Sequence, residues 1–303
     1  MQRPCRMSSS SSEELSEPWT ISKIINWTES YFRSKDIESP RLGAELLLCS
    51  VLKCSRISLY TNFDKPLLKK ELEQFRSYIK RRADFEPVSY IINEKSFFDL
   101  DFYVDSNVLI PRPDTEKLIE TVIGLYFGRK EENLRILELG TGSGIITVTL
   151  AAFFENSFSA AADLSLEAIR TARINAEKNN VSSRICFLNT SWFSGISRKC
   201  QFDLIVSNPP YIKTSDIAKL QPEIRMYEPV LALDGGENGL LCIEEIIRDA
   251  HMFLKKDGYL VLEAGFDQKE GIEALVRRNE NLIFVEMVKD YGGRDRVAVI
   301  KRL

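Results

Sequence analysis

Hydrophobic positions along this chain change their period near residue 95. From Trp19 to about Lys95 the spacing is helical, with Ile21, Ile24, Ile25 and Trp27, then Tyr31 and Phe32, falling on one face. Ser39-Pro40 sets a capping residue before a proline at the first helical position and predicts a helix over 41–52. Residues 68–82 predict a charged amphipathic helix ending in Lys80-Arg81-Arg82. That basic end complements the helix dipole and meets solvent, and it is also a candidate partner surface. Between Phe97 and Ile110 the period falls to two, with Phe98, Leu100, Phe102 and Val104 alternating, which predicts a short β-hairpin. Beyond Pro111 short apolar runs alternate with helical stretches. Strands are expected near 134–139, 157–162, 184–188, 202–207, 258–264, 282–288 and 295–301, the last two close enough to pair antiparallel. The order predicts an α/β fold with a doubly wound, mainly parallel seven-stranded sheet and right-handed crossovers. A small amino-terminal helical domain precedes it. The expected division is a disordered Ser-rich tail over 1–18, a helical domain over 19–95, a β-hairpin connector over 96–110 and the sheet domain over 111–303.

Chemistry gathers at the ends of three of these strands. The run 202–207 leads into Asn208-Pro209-Pro210-Tyr211, and ligands of open α/β sheets bind just outside the carboxyl ends of the strands. Two prolines remove two backbone donors and stiffen the loop. What faces a ligand is a row of acceptors, the Asn208 side-chain oxygen and backbone carbonyls, followed by an aromatic ring. Such a surface suits a planar group carrying NH2, a carboxamide or the exocyclic amine of a base. Taken alone, the tetrapeptide is more often an ordinary turn. Upstream, the strand near 134–139 runs into Gly140-Thr141-Gly142-Ser143-Gly144 and then a helical stretch. Glycines at alternate positions allow close backbone approach to a ligand before a helix N-terminus. The third glycine comes one residue too early for the dinucleotide fingerprint, and no P-loop lysine follows. Asp163 ends the second strand about 20 residues past the glycines, where a carboxylate can accept from ribose hydroxyls; strand-end aspartates also commonly cap helices. Together these features outline a nucleoside site beside an NH2-binding loop, and they point to S-adenosyl-L-methionine and N-methylation.

Longer motifs narrow this further: Leu109-Ile110-Pro111-Arg112-Pro113-Asp114-Thr115-Glu116, the loop from Glu138 to Gly144, Trp192-Phe193, and Ser207 to Tyr211. To them belong Tyr227-Glu228-Pro229, Asn238-Gly239-Leu240 and Asp290-Tyr291-Gly292. With these motifs the chain resembles the peptide chain release factor glutamine methyltransferases, the HemK/PrmC family, from about residue 17 onward. The resemblance implies a Rossmann-like methyltransferase domain and a helical domain that helps dock the release factor. It implies that Gly140, Thr141, Gly142, Ser143, Gly144, Asp163, Trp192 and Asn208 line the cofactor site, with S-adenosyl-L-homocysteine as the product left there. It also implies that Asn208, Pro209, Pro210 and Tyr211 hold and act on the substrate glutamine of the Gly-Gly-Gln motif of class I release factors. The chain departs from the family at Ser191, where an aspartate commonly precedes the tryptophan; Asn189 is the nearby substitute for contact with adenine. Ribosomal-protein glutamine methyltransferases, and enzymes acting on adenine N6 or guanine N2 of nucleic acids, share the acceptor loop and are the alternatives.

Composition changes the picture only at its edges. A chain of 303 residues can hold two cores. A net charge of −3 speaks against a nucleic-acid backbone as partner, which needs clustered cations. Cys5, Cys49, Cys54, Cys186, Cys200 and Cys242 lack zinc-ligand spacing and are expected to be buried structural thiols of a reducing cytoplasm, with no metal. His251 lies inside a helical stretch and is assigned no chemistry. No run of about 18 apolar residues predicts a membrane span. A cytoplasmic monomer is expected.

Overall fold

The computed structural model describes residues 18–303; all but the last residue of the expected tail, Cys5 included, lies outside the described residues. Two compact units divide between Asp84 and Phe85. In the first, the apolar spacing becomes helices Ile21–Arg33, Pro40–Leu52, Arg56–Thr61 and Lys69–Ala83. Phe32, Leu47, Leu48, Leu59 and Phe75 are fully buried there. Glu45 is buried among them, and a lone buried carboxylate is costly. It is paired with Arg56 at 2.7 Å and Arg41 at 3.0 Å, and accepts from Tyr60 Oη at 2.5 Å.

Two local expectations fail in this unit. Ser39 makes no side-chain cap and sits at φ 48°, in the left-handed region. A capping side chain reaches the N–H of the second or third helical residue from an extended backbone, and Ser39 does not have one. Arg82 is buried rather than solvated. Phe75, Ile79 and Arg82 follow one another at four and three residues, so the face that buries the first two carries the arginine inward.

The second unit opens with the short helix Val88–Ile92, followed by a hairpin of β1 (Lys95–Phe97) and β2 (Leu100–Phe102). Its two turn residues, Phe98 and Asp99, both have positive φ, the primed turn whose twist suits a hairpin. The main sheet comprises β3 (Arg135–Leu139), β4 (Phe158–Asp163), β5 (Ile185–Asn189), β6 (Phe202–Ser207), β7 (Leu254–Glu263), β8 (Leu282–Lys289) and β9 (Asp295–Arg302). Their order is β5-β4-β3-β6-β7-β9-β8. The pairs from β5 through β7 are parallel, and β9 runs antiparallel between β7 and β8. This is the expected doubly wound seven-stranded sheet. Side chains alternate between two apolar layers. Ile136, Leu204, Val206 and Val261 enter one, while Leu137, Ile205, Leu260 and Ala298 enter the other. The chain leaves β3 toward β4 on one side and reaches β6 on the other, which opens a crevice at their carboxyl ends.

The described cysteines are free but not buried: Cys186 is exposed on the edge strand β5, and the other four are half-buried. Edge position exposes a side chain that a central strand would cover. His251 follows helix Leu241–Ala250 and pairs with Asn279 at 3.0 Å. Among the described residues no cluster could hold a metal, and no helix is long and apolar enough to cross a membrane.

Candidate functional site

A cavity of about 360 Å³ lies at the carboxyl ends of the central strands. Its floor is the glycine loop. Gly140, Gly142 and Gly144 all have positive φ, which side-chain-bearing residues rarely adopt. At Gly144, where helix Ile145–Phe153 begins, a side-chain carbon would also stand 3.0 Å from Ala172 Cβ. The loop is tied down by its neighbours. Gly140 and Thr141 donate their N–H groups to the Ala162 carbonyl, and Gly142 N–H donates to Asp163 Oδ2 at 2.8 Å. Ser165 N–H donates to Asp163 Oδ1, also at 2.8 Å. Burial pushes the Asp163 carboxyl up, against these backbone bonds.

Glu138, at the end of β3, lines the same cavity and is buried. Its Oε2 accepts from Thr141 Oγ1 at 2.6 Å and from Thr147 N–H at 3.1 Å, while its buried Oε1 has no partner. Burial pushes this carboxyl up to about 8. A wall is formed by Ser191 and Trp192. Trp192 is itself held at φ 43°, and its indole Nε1–H donates to Glu245 Oε2 at 2.6 Å. Asn189 is not at this wall. Its amide donates to the carbonyls of Asp163 and Leu164, tying β5 to the turn after β4.

Asn208 opens into the cavity from the end of β6. Its Nδ2 donates to Thr115 Oγ1 at 3.3 Å, Thr115 Oγ1 donates to Glu263 Oε2 at 2.8 Å, and Tyr211 Oη donates to Glu263 Oε1 at 3.2 Å. Arg296 Nη1 reaches the same phenol oxygen at 3.4 Å. The Tyr211 ring therefore turns into the protein rather than into the cavity. The loop backbone is clamped from behind. Gln268 Nε2 donates to the carbonyls of Tyr211 and Gly239, and Gly235 N–H donates to the Ile212 carbonyl. Farther along, Glu228 is buried against Arg112 at 2.6 Å and accepts from Ile110 N–H at 3.2 Å.

The structure thus brings Gly140, Thr141, Gly142, Ser143, Asp163, Trp192, Asn208 and Pro210 to one cavity; Gly144, Pro209 and Tyr211 do not line it. Glu138, Thr115 and Glu245 line it without having been singled out for chemistry. Glu138 and Thr115 stand inside quoted motifs, so their position was the available signal. Nothing local marked Glu245.

Residues 23–92 match the PrmC N-terminal domain family, and residues 125–224 match the methyltransferase small domain. The release factor glutamine methyltransferase of Geobacter sulfurreducens is 40% identical, over 94% of this chain and 97% of its own length. That of Rhodopirellula baltica is 34% identical over the same shares. A methyltransferase structure from Pyrococcus furiosus is 21% identical, covers 74% of this chain and 98% of its own, and superposes with a TM-score of 0.51. This last likeness concerns the fold alone.

Proposed function

The chain belongs to the release factor glutamine methyltransferase family, and on that premise we propose that its cavity binds S-adenosylmethionine while Asn208 to Tyr211 present the substrate glutamine. The enzyme methylates a release factor on glutamine. The finer reading is that the acceptor is the glutamine of the Gly-Gly-Gln loop of a class I release factor, modified on its side-chain nitrogen in the cytoplasm. The observation that carries this is the Asn208 amide. Its nitrogen is committed to Thr115, so its oxygen is the end left to accept from an incoming NH2.

The residues present fit the cofactor. An orphaned, buried Glu138 oxygen at a cavity wall suits a cationic amino group. Asp163 accepts backbone N–H groups on both oxygens and still retains lone-pair capacity for a ribose diol. Trp192 and Ser191 offer a surface for a base. When bound, S-adenosylmethionine supplies a methyl group on a positively charged sulfur, a donor that needs no activation by the protein. The protein has to place the nucleophile. Asn208 Oδ1 and the Pro209 carbonyl would accept the two amide hydrogens and hold the nitrogen in line, and alignment of this kind is worth ~7–11 kcal/mol. Tyr211, turned toward Glu263, acts by fixing the loop rather than by stacking on the substrate. No general base is needed, because the surplus proton can leave to water once the nitrogen has become cationic.

Glu138 gives the cofactor assignment a proton signature. Its carboxyl titrates near 8 in the ligand-free protein, so it is largely protonated at pH 7. A cationic group beside Oε1 favours the ionised form. Cofactor binding at pH 7 is expected to release close to one proton, read by calorimetry in buffers of different ionisation enthalpy. Binding without proton release excludes Glu138 from the contact. The raised value also means that the native state holds this proton more tightly than the unfolded chain. The favourable contribution is therefore full below the ordinary carboxyl range and is lost as pH rises toward 8. Glu138→Gln should accordingly raise Tm of the ligand-free protein at pH 8 while weakening cofactor binding.

The substrate assignment is tested by radiolabelled methyl transfer to an intact release factor, to a short Gly-Gly-Gln peptide, and to DNA and ribosomal RNA. Label is expected on the intact factor. The peptide should be a poor substrate, because a flexible loop carries little affinity and the helical unit is proposed to dock the factor's body. Labelled nucleic acid with an unlabelled release factor overturns the reading.

A further inference from the structure

An asparagine side chain can present either end to a substrate, and here only one end works. Facing Nδ2 to a glutamine NH2 sets donor against donor, whereas Oδ1 accepts from it. The partner of Asn208 is the Thr115 hydroxyl, from helix Asp114–Tyr126. A hydroxyl can donate or accept, so it does not select an orientation by itself. Glu263 does. An ionised carboxylate only accepts, so the single proton of Thr115 Oγ1 goes to Glu263 Oε2 at 2.8 Å, and only lone pairs are left toward Asn208. The far side of the carboxylate is fixed the same way. Arg296 Nη1 can only donate to Tyr211 Oη, which directs the phenol proton to Glu263 Oε1 at 3.2 Å.

We propose that Thr115 and Glu263 are positioning residues for methyl transfer, holding the Asn208 amide with its oxygen toward the substrate. The proposal rests on the reading of Asn208 as the acceptor for the glutamine NH2. Glu263 is fully buried, so no water competes for its two oxygens. Burial alone would favour a neutral carboxyl, which could return a proton to Thr115 and undo the selection. Burial does raise the Glu263 carboxyl above its ordinary range, and the Thr115 hydroxyl, the Arg296 guanidinium and the Tyr211 hydroxyl pull it back toward the ionised form in which the selection operates. These residues come from four different parts of the second unit: Thr115 from a helix before the sheet, Glu263 from the end of β7, Tyr211 from the acceptor loop and Arg296 from β9. A purely structural hydrogen bond would not need direction; this chain of bonds has one at every step.

The experiment uses the full chain with an intact release factor. Thr115→Val keeps the shape and removes the hydroxyl, and Thr115→Ser keeps the hydroxyl and removes the methyl. The valine variant should lose ~10- to 100-fold in kcat, the scale of a misplaced reacting group. Cofactor Kd and the KM for release factor should stay within about twofold, because the effect falls on the chemical step rather than on binding. Thr115→Ser should recover most of kcat. In an Asn208→Ala background, Thr115→Val should cost nothing further, since it acts through Asn208. If Thr115→Val does not fold, Thr115→Ala takes its place. Wild-type kcat in the valine variant overturns the proposal, as does a full additional loss in the double variant. Unchanged kcat in Asn208→Ala alone overturns instead the reading on which it rests.

Discussion

Asn208→Ala is expected to lower kcat by ~100-fold or more, by analogy with deleting one oriented group at an oxyanion hole. Affinity for the release factor should hardly change. An amide nitrogen is a poor nucleophile because its lone pair is delocalised into the carbonyl, the same resonance that flattens the peptide bond. As it attacks, positive charge grows on nitrogen and its hydrogens become more acidic. An acceptor on those hydrogens therefore binds the transition state more tightly than the ground state, which is the condition for a gain in kcat rather than in KM. The geometry supports this division of labour, since Nδ2 is engaged behind the loop by Thr115. Single-turnover rates with cofactor bound are the check, and a near-normal rate removes Asn208 from the mechanism. Asn208→Asp is the sharper probe. It keeps an acceptor toward the substrate but brings a second one to Thr115, so partial activity is expected.

The second large effect is expected at a residue with no chemistry. A side-chain carbon on Gly239 would stand 2.5 Å from the Tyr211 carbonyl oxygen and 2.7 Å from Gln268 Nε2. Those two atoms are hydrogen-bonded to each other, and Gln268 also bonds Gly239 itself. The position has φ +74°, which costs a side-chain-bearing residue about 1–2 kcal/mol. Overpacking adds about 1–3 kcal/mol. Gly239→Ala should therefore shift the urea midpoint downward and, because relief of the clash pushes directly on the acceptor loop, lower kcat as well. Gly128, whose added carbon would meet open space, is the control. An alanine at 239 that leaves both stability and turnover intact shows that the clamp does not hold the loop.

What could be read from the chain and what could not divides by distance along it. The strands, the glycine loop and the acceptor loop are local patterns of period and turn chemistry, and each stands close to where the spacing put it, although β7 begins earlier than expected, at Leu254. The network behind Asn208 is not local. Its contact with Thr115 spans 93 residues, and the contact of Thr115 with Glu263 spans 148. Glu263 was legible as a strand-end acid but not as the partner of anything. The same holds for Tyr227-Glu228-Pro229 and Asn238-Gly239-Leu240, which carried resemblance without a reason. Burial of Glu228 against Arg112, and the absence of room for a side chain at Gly239, supply the reason. Tyr211 is a mixed case. Sequence marked its ring as a substrate contact, and the fold adds a hydroxyl bonded to Glu263 that no local pattern announced. Ser39 and Arg82 failed on shorter range, because the backbone conformation at one and the helix face at the other outvoted residue type.

The place of β9 has a consequence for how the molecule is made. The ribosome delivers β7, then β8, and only afterwards the strand that must lie between them. Until residues 295–302 emerge, the nascent chain carries β7 with one hydrogen-bonding edge bare, an open template for another chain. Arg296 arrives with that last strand, so the phenol of Tyr211 and the carboxylate of Glu263 have no cation beside them during synthesis. Vectorial folding can assemble the glycine loop early. The side that orients the substrate closes last.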